Sequence, residues 1–362
     1  MVFEKIQRED YEQIVYCNDS HTGLKAIISM HSTVLGPATG GCRMWAYKDE
    51  SEALTDVLRL SKGMTYKNSI SGLNWGGGKA VIIGDARKDI KSQKTPELLA
   101  RFGEYVNRLG GNYITAKDVG IGSDDLRIVK SKTKHVLGID GEPGSSGDPS
   151  PATAWGVYHG MKAAVKFAHG ANSMNGMKIA LQGLGSVSFA LLEHLVADGA
   201  KIIGCDVDQA AIDRSTKKYG IEIVSPEKIY DVQCDIFSPS ALGASINSKT
   251  LPRIHAAGAK IIAGAANNQL ETSDDGHAVH KLGMIYCPDY AINAGGVINI
   301  YYEGGAAGAG GYSKTKAFEH VTGIQKTIAE ILGRSHIEKT PTHVVADRMA
   351  EERVAKARQA HK

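Results

Sequence analysis

The chain of 362 residues is 42% hydrophobic and 22% charged, long and apolar enough for two cored domains and unlike a disordered or fibrous sequence. Its 42 basic and 39 acidic residues leave a formal charge of +3 with no long basic run, so nucleic-acid binding has no electrostatic support and a small substrate is expected. Cys17, Cys42, Cys205, Cys234 and Cys287 lack CxxC or metal spacing and read as unpaired thiols of a reducing compartment. No apolar h-region follows Met1 and no apolar run approaches the roughly 20 residues of a membrane span, so the chain reads as cytoplasmic.

In chain order, Leu24 to Met30 (LKAIISM) reads as a buried strand flanked by Gly23 and by His31 and Ser32. A glycine-rich turn follows from Gly36 to Arg43, carrying Thr39, Gly40 and Gly41. Apolar positions between Ser51 and Lys62 recur at helical spacing behind the acidic residues Glu50, Glu52 and Asp56. This helix leads into GMTYKNSISGLNWGGGK, Gly63 to Lys79, which sets Lys67 and Lys79 twelve residues apart and places Gly76, Gly77 and Gly78 before the second lysine. A small carboxylate would suit one ammonium and the N–H groups of a glycine turn, while a desolvated lysine beside another cation would be driven toward neutrality and act as a base. A surface helix ending in a glycine turn with solvated lysines explains the same residues equally well.

Ala80 to Ile83 reads as a short buried strand and Pro96 to Leu109 as an amphipathic helix. Tyr113 to Gly120 (YITAKDVG) reads as strand then turn, with Asp118 at the strand end, a frequent place for site residues in α/β folds and an ordinary one for solvated aspartates. Between Val136 and Pro151 the sequence GEPGSSGDPSP marks a linker, and a helical pattern resumes from Ala152 to His169. Lys178 to Gln182, then GLGSVS from Gly183 to Ser188, then a helix from Phe189 to Ala197 give the strand, turn and helix of a dinucleotide fingerprint, with Ser188 in place of its third glycine. The next strand, Lys201 to Cys205, ends in Asp206, placed to accept from the adenosine ribose and to repel a 2′-phosphate. NAD is therefore preferred over NADP. Apolar segments at 222–224, 235–237, 260–263 and 284–287 read as further strands of a parallel sheet. Asn267 and Asn268 in AANNQL, and Asn293 later, follow such strands. EGGAAGAGGY, Glu303 to Tyr312, reads as a surface loop at a cleft mouth, and helices from Thr315 to Leu332 and from Thr340 to Arg358 close the chain.

GPATGGCRMW at 36–45, KGMTYK at 62–67, GGGKAVI at 76–82, AANNQL at 265–270 and INAGGVIN at 292–299 resemble, in order and spacing, the leucine, phenylalanine and valine dehydrogenases of the amino-acid dehydrogenase superfamily, closest to the leucine branch. The resemblance implies an α/β fold of two domains separated by a cleft: an N-terminal substrate domain over 1–148, a Rossmann-type NAD-binding domain over 149–333, and a C-terminal helix over 334–362 that returns to the first domain. It implies Lys67 on the substrate α-carboxylate, Lys79 as general base and Asp118 assisting proton transfer. It implies a substrate pocket of Thr39, Gly40, Gly41, Met64, Gly77, Gly78, Asn293, Val297 and Ile300. For NAD it implies Thr153, Gly183, Leu184, Gly185, Ser186, Val187, Asp206, Val207, Ala265, Asn267 and Asn293, with no metal. Thr39 replaces the lysine of glutamate dehydrogenases, arguing against glutamate, and the leucine of leucine dehydrogenases. Val297 and Ile300 favour a branched aliphatic amino acid. The expected reaction is reversible NAD-dependent deamination of leucine, valine or isoleucine to the 2-oxo acid and ammonia by a homo-oligomer, an octamer or a dimer. Phenylalanine or another bulky amino acid, and a catalytically silent NAD-binding regulator, are the alternatives.

Overall fold

The computed structural model describes residues 9–87, 93–303 and 311–360. The chain divides into two compact units, one of Met1–Gly147, Ile300–Ser313 and Ala350–Lys362, the other of Asp148–Asn299 and Lys314–Met349. The segment 334–349, expected to return to the first domain, thus groups with the second unit; Tyr290 donates to Asp347 there at 2.6 Å, and Val345 and Ala346 are buried.

The first unit is built on a mixed sheet. Strands β1 (Gln13–Asp19), β2 (Leu24–Ser32), β5 (Gly76–Ile83), β3 (Ala38–Thr39) and β6 (Tyr113–Ile114) lie in that order, and β4 (Cys42–Trp45) also pairs with β5. The β1–β2 and β2–β5 pairs are antiparallel, the others parallel. Because successive strand residues face opposite sides, β2 sends Ala26, Ile28 and Met30 into a core with helices α2 (Pro96–Arg108) and α3 (Ser123–Lys130), while Ile27 and Val81 pack under helix α1 (Glu50–Ile70). Helix α1 starts at Asp49, whose carboxylate accepts from the Glu52 N–H at 2.9 Å. It does not stop near Lys62: buried Ser61, Thr65 and Asn68 carry the inward stripe through Gly63 to Ile70. The helix therefore contains Lys67 rather than leading to it. Its C-terminal carbonyls on Ser69 and, just beyond, Leu73 accept from the Arg353 guanidinium at 3.2 and 2.7 Å, a cation at the negative end of the dipole.

The second unit is a six-stranded parallel sheet in the order β12 (Ile285–Tyr286), β11 (Ile261–Ile262), β10 (Ile236–Pro239), β7 (Lys178–Gln182), β8 (Lys201–Cys205), β9 (Glu222–Ile223). That is the doubly wound dinucleotide-binding order, reversing direction between β7 and β10. Helix α4 (Ser150–His169) precedes β7 and α5 (Ser186–Ala197) follows it. The helix expected over 315–332 is two, Lys314–Thr322 and Ile324–Glu338. Gly323 divides them, and Thr322 Oγ1 bonds back to the Phe318 carbonyl at 2.9 Å, a bond that weakens helical continuity. Of the loop expected from Glu303 to Tyr312, residues 304–310 lie outside the described residues. Glu303 itself accepts from the backbone N–H of Gly138 at 2.8 Å and of Ser146 at 2.6 Å within the first unit. All five cysteines are free and buried, and no described helix is long and apolar enough to cross a membrane.

Candidate active site

In the first unit, β5 places Lys79 on the sheet face covered by α1, two residues before Val81 of the α1 core. Lys79 Nζ lies 2.6 Å from Asp118 Oδ2, with side-chain exposures of 9% and 17%. Arg43 of β4 reaches the same oxygen through Nε at 3.2 Å and turns its NH1 to Asp56 Oδ2 on α1 at 2.9 Å. Burial pushes the Asp118 carboxyl up, but the Lys79 ammonium and then the Arg43 guanidinium outweigh it, and the group sits below its ordinary value. Asp118 is thus an anion clasped by two cations. The Tyr113 phenol and the Cys42 thiol nearby are driven well above their usual values, first by burial, and stay neutral.

The glycine triplet is not a turn: Gly76, Gly77 and Gly78 are the first residues of β5. Side chains are absent there because other atoms occupy their space. A Cβ on Gly76 would collide with the Ser32 carbonyl, one on Gly77 with Thr65 of α1, and one on Gly78 would meet the Tyr113 ring at 2.8 Å. The helix thereby settles onto bare backbone, which a turn would not permit. Gly40 and Gly41 form the jog between β3 and β4. A Cβ on Gly40 would strike the Gly78 carbonyl and lie 3.1 Å from Met64 Cγ, and one on Gly41 would lie 3.0 Å from the Asp118 Cβ. The structure therefore gathers Thr39, Gly40, Gly41, Met64, Gly77, Gly78, Lys79 and Asp118. Lys67 stands one helical turn after Met64 on α1. Thr39 is buried and donates to the Pro37 carbonyl at 3.1 Å.

In the second unit, Gly183 takes φ +95 at the end of β7 and its N–H donates to the Cys205 carbonyl at 2.8 Å. Gly185 is the N-cap of α5, and a Cβ there would meet nothing within 4 Å. The N-terminal N–H groups of α5, with exposed Ser186 and half-buried Val187, therefore face open space suited to a pyrophosphate. Ser188 is buried, and no described partner takes its hydroxyl, so it serves close packing as a glycine would. Asp206 accepts from the N–H of Leu184 at 2.6 Å, of Val207 at 2.7 Å and of Asp208 at 2.9 Å. Burial pushes its carboxyl up, but these backbone bonds together hold it below the usual range. An anion at this point and a fully open Val207, 90% exposed, fit a ribose diol and an apolar base face. Asn293 donates to the Ala265 carbonyl at 3.1 Å and to Asn267 Oδ1 at 2.8 Å, so these three meet. Thr153 Oγ1 bonds back to the Pro149 carbonyl at 3.0 Å and abuts Gly296. These residues fit a nicotinamide dinucleotide. Val297 is half-buried in this unit, whereas Ile300, three residues on in the same helix, groups with the first unit and lies beside Gly138.

Arg43, expected only as the end of a glycine-rich turn, lies instead within strand β4 and contacts Asp118. Its signal was the alternation CRMW: with Cys42 and Met44 in one core, Arg43 must face the α1 side, where Lys79 is. Arg43 also lines a cavity of about 720 Å³ with Trp45, Tyr47, Asp56, Arg59 and Val119.

Two family profiles match the chain: the Glu/Leu/Phe/Val dehydrogenase dimerisation domain over residues 11–135 and the glutamate/leucine/phenylalanine/valine dehydrogenase domain over 205–362. The chain is 49% identical to a leucine dehydrogenase of Bacillus cereus over 98% of its own length and 93% of the relative's. It is 41% identical to a phenylalanine dehydrogenase of Caldalkalibacillus thermarum, over 97% and 93%. The crystal structure of L-tryptophan dehydrogenase from Nostoc punctiforme superimposes with a TM-score of 0.85 at 38% identity, covering 99% of this chain and 100% of that one.

Proposed function

Because the chain belongs to the Glu/Leu/Phe/Val dehydrogenase family, we propose that it catalyses the reversible, NAD-dependent deamination of a branched-chain L-amino acid to its 2-oxo acid and ammonia. The observation that carries this reading is the largely buried Lys79–Asp118 pair at 2.6 Å, a potential base and a fixed anion side by side.

Lys67 takes the substrate carboxylate, and Thr39, Gly40, Gly41, Met64, Gly77 and Gly78 border the rest; by family resemblance Asn293, Val297 and Ile300 are also assigned to the substrate. Asp118 accepts a hydrogen bond from the α-amino group and so orients Cα. Gly183, Leu184, Gly185, Ser186 and Val187 hold the pyrophosphate, Asp206 and Val207 the adenosine end, and Thr153, Ala265, Asn267 and Asn293 the nicotinamide end. When bound, NAD supplies the acceptor for the Cα hydride. Lys79, having released its proton, takes one from the water that attacks the iminium carbon; it then gives that proton to the nitrogen and takes the hydroxyl proton as the carbinolamine collapses, so that ammonia and the 2-oxo acid leave and Lys79 ends as an ammonium. Asp206, an anion kept below the usual carboxylate range, disfavours a 2′-phosphate and hence NADP.

Thr39 is smaller than leucine and favours a second reading, phenylalanine or another bulky amino acid as substrate. Following the absorbance of reduced nicotinamide with leucine, valine, isoleucine, phenylalanine and glutamate, each with NAD and NADP, separates the two. The first reading expects the branched aliphatics with NAD to lead. We place the enzyme in the cytoplasm as a homo-oligomer, an octamer or a dimer, which light scattering of the purified protein decides.

A further inference from the structure

The base must cycle between charged and neutral forms, and that creates a difficulty for its neighbour. While Lys79 is an ammonium, Asp118 has two cationic partners on Oδ2. When Lys79 is neutral one is gone, and the buried carboxyl is drawn toward taking the proton itself. A protonated Asp118 no longer attracts a substrate ammonium. Arg43 cannot lose its proton under these conditions, and it approaches the same oxygen through Nε, leaving Oδ1 outside both ion pairs. Its own orientation is set from behind: Asp56 takes Arg43 NH1 at 2.9 Å, Tyr47 OH at 2.8 Å and Arg59 NH2 at 3.0 Å.

We propose that Arg43 is a positioning residue for the deamination: it fixes the rotation of Asp118 and keeps it anionic through the half of the cycle in which Lys79 is neutral. This rests on the reading of Lys79 and Asp118 given above. The groups around Asp118 leave Arg43 as the permanent charge that can do so. From β5 comes Lys79, which must change charge. From β4 come Arg43 and the neutral Cys42 thiol, and from β6 the neutral Tyr113. Tyr47, held to Asp56, is also driven to remain neutral, chiefly by burial. Lys117 is committed to Asp140 at 2.6 Å, and Lys94 to Asp125 at 2.7 Å.

The test compares pH profiles of kcat and kcat/KM for wild type, Arg43→Gln and Arg43→Lys, with NAD affinity measured on each. Loss of the fixed cation should move the acid limb of Arg43→Gln upward by about one pH unit or more. It should also raise the amino-acid KM and leave NAD affinity unchanged, and Arg43→Lys should recover most of the limb position. An active Arg43→Gln whose limb matches wild type overturns the proposal, as does an Arg43→Lys that folds, binds NAD and shows no recovery relative to Gln. If Arg43→Gln does not fold, the Lys variant alone decides: restoring the charge without the planar fork should leave the limb near wild type while KM rises, and a shifted limb there overturns the proposal. Absence of amino-acid oxidation in the wild type would strike the functional reading itself, a result separate from any of these.

Discussion

Lys79 and Asp118 are brought together across 39 positions of sequence to a 2.6 Å contact, one from the middle of a strand and the other from the turn after a short strand two places along the sheet. The run of glycines ahead of Lys79 lets Ser32, Thr65 and Tyr113 close directly onto the strand backbone, which holds the base in place.

Removing the amine should be felt in chemistry. Lys79→Ala is expected to lower kcat by several powers of ten while binding NAD as before, because the cofactor residues belong to the other unit. Asp206→Ala should do the reverse, weakening NAD with little effect on kcat at saturation. Titration of each variant with reduced nicotinamide and steady-state rates would check the pair; equal loss of NAD affinity in both would contradict the assigned roles.

Two neighbouring glycines should respond oppositely to one added methyl. Gly185 has ordinary backbone geometry and open space around its missing Cβ, so Gly185→Ala should fold normally but weaken NAD by about tenfold or more, the methyl intruding on the pyrophosphate. Gly183 has φ +95, and its Cβ would sit 2.7 Å from that of Ala241. Gly183→Ala should therefore cost roughly 1–3 kcal/mol of stability, read as a lower urea midpoint.

Specificity should turn on Thr39. Enlarging it with Thr39→Leu should lower phenylalanine turnover relative to leucine by about tenfold, the scale of one or two methylenes in an apolar pocket. An unchanged ratio of kcat/KM values would place the discriminating contact elsewhere.

Acid should loosen the first unit through His31. Burial pushes this imidazole down to about 4, and Nδ1 pairs with Thr65 Oγ1 at 2.8 Å. The folded value is depressed, so its contribution is complete above about 6.5, the unfolded value, and is lost as pH falls from there toward about 4. By pH 5 the loss should approach about 2 kcal/mol, and His31→Gln should flatten the fall in Tm between pH 7 and 5.

Strands and helices with strong periodicity were legible in the sequence: β7 and β8 fall on their expected residues, because a short apolar run bounded by glycine has few other uses. The family, the dinucleotide fold and the charged pair of lysines were legible as motifs. Arg43 was not, since its meaning depends on β4 pairing with β5, a long-range register that a glycine-rich stretch conceals. The triplet Gly76–Gly78 misled for a related reason. Local propensity says turn, but the partners that exclude a side chain, Ser32, Thr65 and Tyr113, come from three other elements.

That triplet also fixes how the gene can vary. Every missense change at a glycine codon introduces at least one carbon, so at 76, 77 and 78 no substitution is conservative, whatever its chemistry. Laboratory evolution of this enzyme toward new substrates would have to work around three consecutive frozen positions lying directly beside the base, and useful variation should gather instead at positions that carry a side chain, such as 39, 297 and 300.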